Sequence, residues 1–144
     1  MKVIAQAPSR ISLFGGGTDV APYCDEYGGI CINMAINIRH QIILEGKNIL
    51  LRADNPDFFK AFTDLPVHHE YEGAIEGGLG SSAGLAVALV GAISRFNGEK
   101  MSLTQIAERA WDIEVNKIGL FGGRQDQYAS AFGGVNVMEF GSLG

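Results

Sequence analysis

From Ile30 onward the chain alternates strictly, with Ile30, Ile32, Met34 and Ile36 set against Cys31, Asn33, Ala35 and Asn37. A period of two predicts a strand with one buried face. Lys2 to Ala7 reads as a shorter strand stopped by Pro8, and Arg10 to Phe14 resumes the extended pattern until Gly15-Gly16-Gly17 breaks it. Gln41–Glu45 and Ile49–Arg52 flank Gly46-Lys47-Asn48, the pattern of a β-hairpin. Val135 to Phe140 alternates again as a final strand. The helical signals come between. An apolar run, Leu85 to Ile93, has the length of a buried helix and is closed by Asn97-Gly98. Ser102 with Gln105 forms a capping box, and the helix it opens carries Ile106, Ala110, Ile113 and Lys117 on one side until Gly119. Arg124 to Phe132 reads as a third helix, stopped by Gly133-Gly134. Thr18 or Asp19 is placed to cap a short helix through Tyr23 to Tyr27. Asn55 to Gly73 is the least regular stretch, with a short helix expected at Phe58–Phe62. Strands dominate the first half and helices the second, without βαβ alternation. The expected fold is therefore α+β, a mostly antiparallel sheet with helices packed on one face.

Composition narrows the function. A chain of 144 residues with 47% hydrophobic and 19% charged positions suits one globular domain. The net charge of −5, with no basic tract, argues against nucleic acid or an anionic membrane as partner. An anionic ligand would have to be held by local N–H groups, a cation or a few placed Arg and Lys residues. The run at 85–93 is too short to span a bilayer, and the N-terminus lacks the length of a signal peptide, so a cytoplasmic location is expected. Cys24 and Cys31 fit neither a zinc pair nor a redox motif and are expected to be reduced, partly buried thiols. Trp111 and Phe96 are expected in the core or half-buried on helices.

Three segments carry chemistry. Gly77-Gly78-Leu79-Gly80-Ser81-Ser82-Ala83 leads directly into the apolar helix. Glycines let the backbone approach a ligand, and a helix start offers free N–H groups and a positive dipole end, which suits phosphate. The serine hydroxyls fall where they can cap that helix. The segment reads either as a phosphate cradle or as a Gly-rich turn that starts a helix; it is neither a Walker loop nor G-x-G-x-x-G. Pro8-Ser9-Arg10-Ile11-Ser12 leads into Gly15-Gly16-Gly17-Thr18-Asp19, where Asp19 is placed to accept from sugar hydroxyls or to cap a turn. Gly122-Gly123-Arg124-Gln125-Asp126-Gln127-Tyr128 puts a carboxylate near a helix start, able to take a proton from a hydroxyl or to pair with the helix dipole. Glu114 lies one helix earlier, and a carboxylate with a serine hydroxyl and phosphate oxygens is a ligand set for Mg²⁺. His68-His69-Glu70 lacks metal-site spacing and reads as a solvated loop.

In this order the three segments resemble the GHMP kinase superfamily. The wording from Phe14 to Asp19, with Pro22-Tyr23, Gly28-Gly29 and Gly122–Tyr128, is similar to its heptose 7-phosphate kinase branch. The resemblance implies the superfamily's N-terminal domain over residues 1–144, a fold shared with a ribosomal-protein domain, with the C-terminal domain absent. It implies transfer of the γ-phosphate of ATP to a sugar hydroxyl, at the anomeric carbon in the heptose branch. Gly77, Gly78, Leu79, Gly80, Ser81, Ser82 and Ala83 would wrap the ATP phosphates. Ser82 and Glu114 would hold Mg²⁺, Asp126 would act as base, and Arg10 beside it would neutralise developing charge. Gly16, Gly17, Thr18, Asp19 and Arg124 would join Arg10 and Asp126 in binding a small sugar or sugar phosphate. Arg39, His40, Arg52 and Arg124 are the candidate contacts for a sugar's own phosphate. Two departures from the family pattern stand out. Glu76 puts a negative charge near the triphosphate, and residues 55–75 leave little room for the helix and strand that the family carries there. The alternative is a non-catalytic remnant that binds sugar phosphate or a partner. The face left by a missing second domain would favour self-association.

Overall fold

The computed structural model describes residues 1–45, 56–73 and 77–141. Its spine is a pair of long antiparallel strands, β1 (Lys2–Phe14) and β2 (Gly29–Glu45). Pro8 does not stop β1. A register shift falls between Pro8 and Arg10, and an irregular ladder there tolerates the missing N–H. β2 takes in both the Ile30–Asn37 and the Gln41–Glu45 segments, so two expected strands are one. Its buried face is not the apolar one of the pattern: Cys31 and Asn33 are buried while Ile30 and Met34 are exposed. Past the register shift the phase changes, so that His40, Ile42 and Leu44 face inward. The free edge of β2 carries two short strands in tandem: β4 (Val135–Phe140) along Gly29–Met34, and β3 (His68–Tyr71) along His40–Ile43. Every pairing is antiparallel.

Helix α3 (Ser81–Phe96) lies on β1 and β2, and α4 (Leu103–Asp112) and α5 (Gln125–Phe132) pack against it in turn. A helix enclosed on several sides must be apolar all round, and Ala86, Leu89, Val90 and Ala92 are buried accordingly. The capping box forms as expected: Gln105 N–H donates to Ser102 Oγ, and Ser102 N–H donates to Gln105 Oε1. Past α4 the chain widens into a π-helical turn, Ile113–Ile118, ended by Gly119 at φ 83°. Cys24 and Cys31 are free and buried. Phe96 and Trp111 are half-buried. No helix among the described residues is long and apolar enough to cross a membrane.

Four expectations fail locally. Neither Thr18 nor Asp19 caps α1 (Tyr23–Tyr27), whose N-cap is Pro22; the Thr18 hydroxyl donates to the Gly15 carbonyl instead. The serines do not cap α3 either. Gly80 takes the N-cap position at φ 66° with no side-chain bond to the helix. The 55–75 stretch does hold a helix and a strand, because both are short: α2 (Pro56–Lys60) and β3. His68-His69-Glu70 belongs to β3 and is no loop, and no cluster of His, Cys, Asp and Glu among the described residues is arranged to hold a metal. The hairpin turn Gly46-Lys47-Asn48, its second arm Ile49–Arg52 and Glu76 lie outside the described residues.

One face of the sheet takes the helices. On the other, Ile11, Met34 and Val135 are cross-strand neighbours and exposed, with Leu13, Ile30 and Val137 beside them. At the far end of β2, His40 is 1% exposed under α3. The Tyr71 ring stacks on it at 3.9 Å, and its Nδ1 lies 2.9 Å from His69 Nε2. Gly84 lets the helix descend this far, since a Cβ there would sit 2.9 Å from His40 Cδ2. Burial, reinforced by His69, lowers the His40 pKa from 6.5 to about 4. The folded state thus leaves His40 neutral where an unfolded chain protonates it. Between pH 6.5 and about 4 the unfolded state binds more protons, so this contribution to stability is lost as pH falls. Melting temperatures followed across that window should drop more steeply for the wild type than for His40→Phe; equal slopes would contradict the assignment.

Candidate functional site

β1 delivers Arg10 to the helical side of the sheet, where it is 9% exposed. Its Nε and Nη2 both lie 2.7 Å from Asp126 Oδ1, its Nη1 donates to the Gly78 carbonyl at 2.8 Å, and its backbone N–H donates to the Leu79 carbonyl at 2.9 Å. One residue thereby joins the first strand, the glycine loop before α3 and the first turn of α5. Gly80 has to be glycine here: its φ is +66°, and a Cβ would stand 3.2 Å from the guanidinium carbon.

Asp19 splints the other side. Its Oδ2 accepts from the Gln125 N–H at 3.0 Å and its Oδ1 from the Gly17 N–H at 3.2 Å, tying the first glycine turn to the start of α5. Gly123 leaves room for that carboxylate, because a Cβ would collide with it. Ser12 Oγ–H donates to Gln125 Oε1 at 3.0 Å and completes the seam. Asp126 is thus held by a cation from one side and by a fixed helix start from below.

Glu114 sits at the start of the π-helical turn and is 3% exposed. The Ser82 hydroxyl donates to its Oε1, and the Gln127 amide donates to its Oε2 at 2.7 Å. Burial raises the Glu114 pKa; these two bonds oppose the shift, and nearby Asp126 adds to it. Among the described residues no ion pair reaches this carboxylate. Gln127 Oε1, beside it, is buried without a hydrogen-bond partner. A carboxylate with no counter-charge among the described residues, a hydroxyl and, among the same residues, an unpartnered amide oxygen fit a Mg²⁺ ion, which takes few protein ligands. The donor set holds no thiolate or imidazole for a softer metal.

Two cavities meet here. The first, of about 630 Å³, is lined by Arg10, Gly16, Gly17, Asp19, the loop from Gly78 to Ala83, Glu114, Asp126 and Gln127. The second, of about 840 Å³, is more aromatic, with Phe58, Phe59, Tyr71 and His40 in its wall and Lys117 at its edge. Ser81, Ser82 and Leu120 line both. No side chain caps α3, so the N–H groups of its first turn, where Ser81 to Ala83 line the first cavity, are available as anion donors.

The structure therefore gathers most of the residues singled out from the sequence, and leaves some apart. Gly77 and Thr18 do not line the first cavity. Arg124 does not either: its Nε donates to both Glu108 oxygens at 3.1 Å, and its guanidinium lies 3.7 Å above the Trp111 ring. Tyr128 Oη–H donates to the same carboxylate at 2.6 Å, and burial together with Glu108 pushes the phenol up to about 12. Arg39 is exposed on the sheet, and Arg52 lies outside the described residues. Two residues went unrecognised in the sequence. Gln127 orients Glu114, and Gln125 locks the seam. Their only trace was position, flanking Asp126 at a helix start, and nothing local shows that these two amides are the buried side chains of that turn.

The GHMP kinases N terminal domain model matches residues 47–134. The chain is 33% identical to D-glycero-alpha-D-manno-heptose 7-phosphate kinase of Campylobacter jejuni, over 97% of this chain and 51% of that protein. It is 28% identical to mevalonate kinase of Pyrococcus furiosus, over 99% of this chain and 53% of that protein. The fold superposes with a TM-score of 0.85 on the crystal structure of a D-glycero-D-manno-heptose 1-phosphate kinase from Bacteriodes thetaiotaomicron, at 29% identity, covering 97% of this chain and 56% of that one. The chain spans about half the length of these relatives. With a glycine loop at a bare helix start, a buried carboxylate behind it and an Arg–Asp pair at its mouth, the chain belongs to the GHMP kinases.

Proposed function

We propose that the site transfers the γ-phosphate of ATP to a sugar hydroxyl, with D-glycero-D-manno-heptose 7-phosphate, the sugar in the name of the Campylobacter jejuni relative, as the acceptor and its anomeric hydroxyl as the group phosphorylated. The observation that carries this reading is the Arg10 bridge, which fixes Asp126 at the lip of the loop. The nucleoside enters the aromatic cavity and the phosphates lie over Gly78 to Ala83, where backbone N–H groups and the helix dipole meet them. Ser82 and Glu114 would hold Mg²⁺, which when bound supplies positive charge to the phosphate oxygens. Arg10 occupies Asp126 Oδ1, which leaves Oδ2 to accept the proton of the acceptor hydroxyl. The same guanidinium neutralises charge that grows on the transferring group. Gly16 and Gly17 let backbone come close to the sugar, and Asp19 contributes by holding that turn. Arg124 has no part in this reading. The cytoplasm, where ATP and sugar phosphates are found, is the expected setting, and the open apolar row on the sheet is the surface available for self-association.

Calorimetry with ATP and Mg²⁺, followed by phosphoryl transfer to the heptose phosphate, tests the reading. Sugar binding without nucleotide binding would support the non-catalytic alternative and defeat this one. Asp126→Asn should lower turnover by about 10²–10⁴-fold, the usual worth of a positioned base, with ATP affinity nearly unchanged. Unchanged turnover would remove Asp126 from the chemistry. Glu114 gives a second handle. Its raised pKa means that the fold favours the neutral form, so stability present below the unfolded value near 4.5 is lost as pH rises through the folded one. At pH 7–8 without metal, Glu114→Gln should therefore melt higher than the wild type. It should also bind Mg²⁺–ATP about tenfold or more weakly, as loss of a cation-site group does. A variant that melts lower and binds equally well would count against the cation site.

A further inference from the structure

We propose that His40 is a positioning residue for the glycine loop: with His69 it forms a donor relay that turns the Ser81 hydroxyl toward a bound phosphate. The proposal rests on the nucleotide reading above and adds a residue of β2 that approaches the loop from between the sheet and α3. His40 Nδ1 is 2.9 Å from His69 Nε2, and His40 Nε2 is 3.4 Å from Ser81 Oγ. The ring is fixed on both faces, by stacked Tyr71 on one side and by α3 at Gly84 on the other. Tyr71 is anchored in turn, its hydroxyl 3.1 Å from Ser9 Oγ. Ser81 stands where the two cavities join.

A neutral imidazole carries one N–H and one acceptor nitrogen. If Nδ1 holds the proton, it donates to His69, and Ser81 must donate back to Nε2. The serine oxygen then shows only lone pairs to the loop and repels an anion. If Nε2 holds the proton, it donates to Ser81 Oγ, while Nδ1 accepts from His69 Nε2–H. The Ser81 proton is then free to point outward, and the donors run in one direction from His69 through His40 and Ser81 to the phosphate. A phosphate over the loop selects the second arrangement, because only there does the chain end on a donor that the phosphate can accept from.

The test is a double-mutant cycle on the full chain with Mg²⁺–ATP as probe, read by calorimetry, with melting curves to confirm folding. His40→Phe keeps the stacked ring and loses both nitrogens, whereas His40→Gln keeps an N–H near the Nε2 position. His40→Phe and Ser81→Ala should each weaken binding about tenfold, the worth of one good hydrogen bond. The double variant should be no weaker than Ser81→Ala alone, and His40→Gln should recover most of the loss. Additive losses, or equal losses in His40→Phe and His40→Gln, would overturn the relay. Should His40→Phe fail to fold, long-range ¹H–¹⁵N correlation on labelled wild type decides: an Nε2–H tautomer in the nucleotide complex supports the relay, and Nδ1–H refutes it. Wild type that binds no ATP brings down the kinase reading and the relay together, whereas wild type that binds ATP with an additive cycle loses only the relay.

Discussion

A guanidinium that is nine-tenths withdrawn from water must find both a counter-charge and acceptors for its donors, and Arg10 finds them far away in sequence. The carboxylate comes from Asp126 and the carbonyls from Gly78 and Leu79. The loop's conformation follows from this demand. Gly78 and Gly80 take φ of +68° and +66°, a shape open to glycine that brings loop carbonyls to Arg10. The start of α5 follows as well, because Asp126 reaches Arg10 only if Gln125 and Gly123 are seated against Asp19. Charge pairing in the interior thus sets the geometry that a phosphate and an acceptor hydroxyl would meet.

Glu114 is the counterweight. It is as buried as Arg10, but it receives only two neutral donors, from Ser82 and Gln127, and its pKa rises. A fold selected for stability alone would pair or replace such a group. Keeping it beside a helix start, with an amide oxygen that has no partner among the described residues next to it, costs stability, and on the proposed reading a bound cation would offset that cost. The π-helical turn is part of the arrangement: wide turns of this type re-aim side chains at functional sites, and here the turn begins at Ile113, one residue before Glu114.

What could be read from the sequence was whatever is local or periodic. The Ser102–Gln105 box and the apolar run Leu85–Ile93 of α3 each carry their structure within a few residues. The Ile30–Asn37 alternation carries the strand but not which face is buried, since Cys31 and Asn33 turn inward and Ile30 and Met34 outward. The order of the three glycine segments was enough to find the family. What could not be read depended on partners distant in the chain. The serines looked like caps because a cap is the best local use of a hydroxyl at a helix start, but Glu114 and His40 outbid the backbone for them. That Asp19 also splints the first glycine turn to the start of α5, and that Arg124 is stacked on Trp111, could not be seen locally either. His68-His69-Glu70 looked solvated because nothing nearby in sequence shows that β2 has a free edge for it.

The glycine loop is consequently tethered from three directions by polar bonds: Arg10 from the strand at its side, Glu114 from the helix layer through Ser82, and His40 from the sheet through Ser81. None of these bonds uses the N–H groups of the first turn of α3, and Gly80 at the N-cap position has no side chain to cap them. A cap would satisfy the helix and close the anion site. The tethers replace its mechanical role, holding the helix start rigid through carbonyls and hydroxyls, and leave the donors facing outward. Both cavities end on the same two serines, so on the proposed reading the residues that fix the loop would also fix where a phosphate lies between nucleoside and acceptor. Positioning of this kind is most of what phosphoryl transfer asks of a protein.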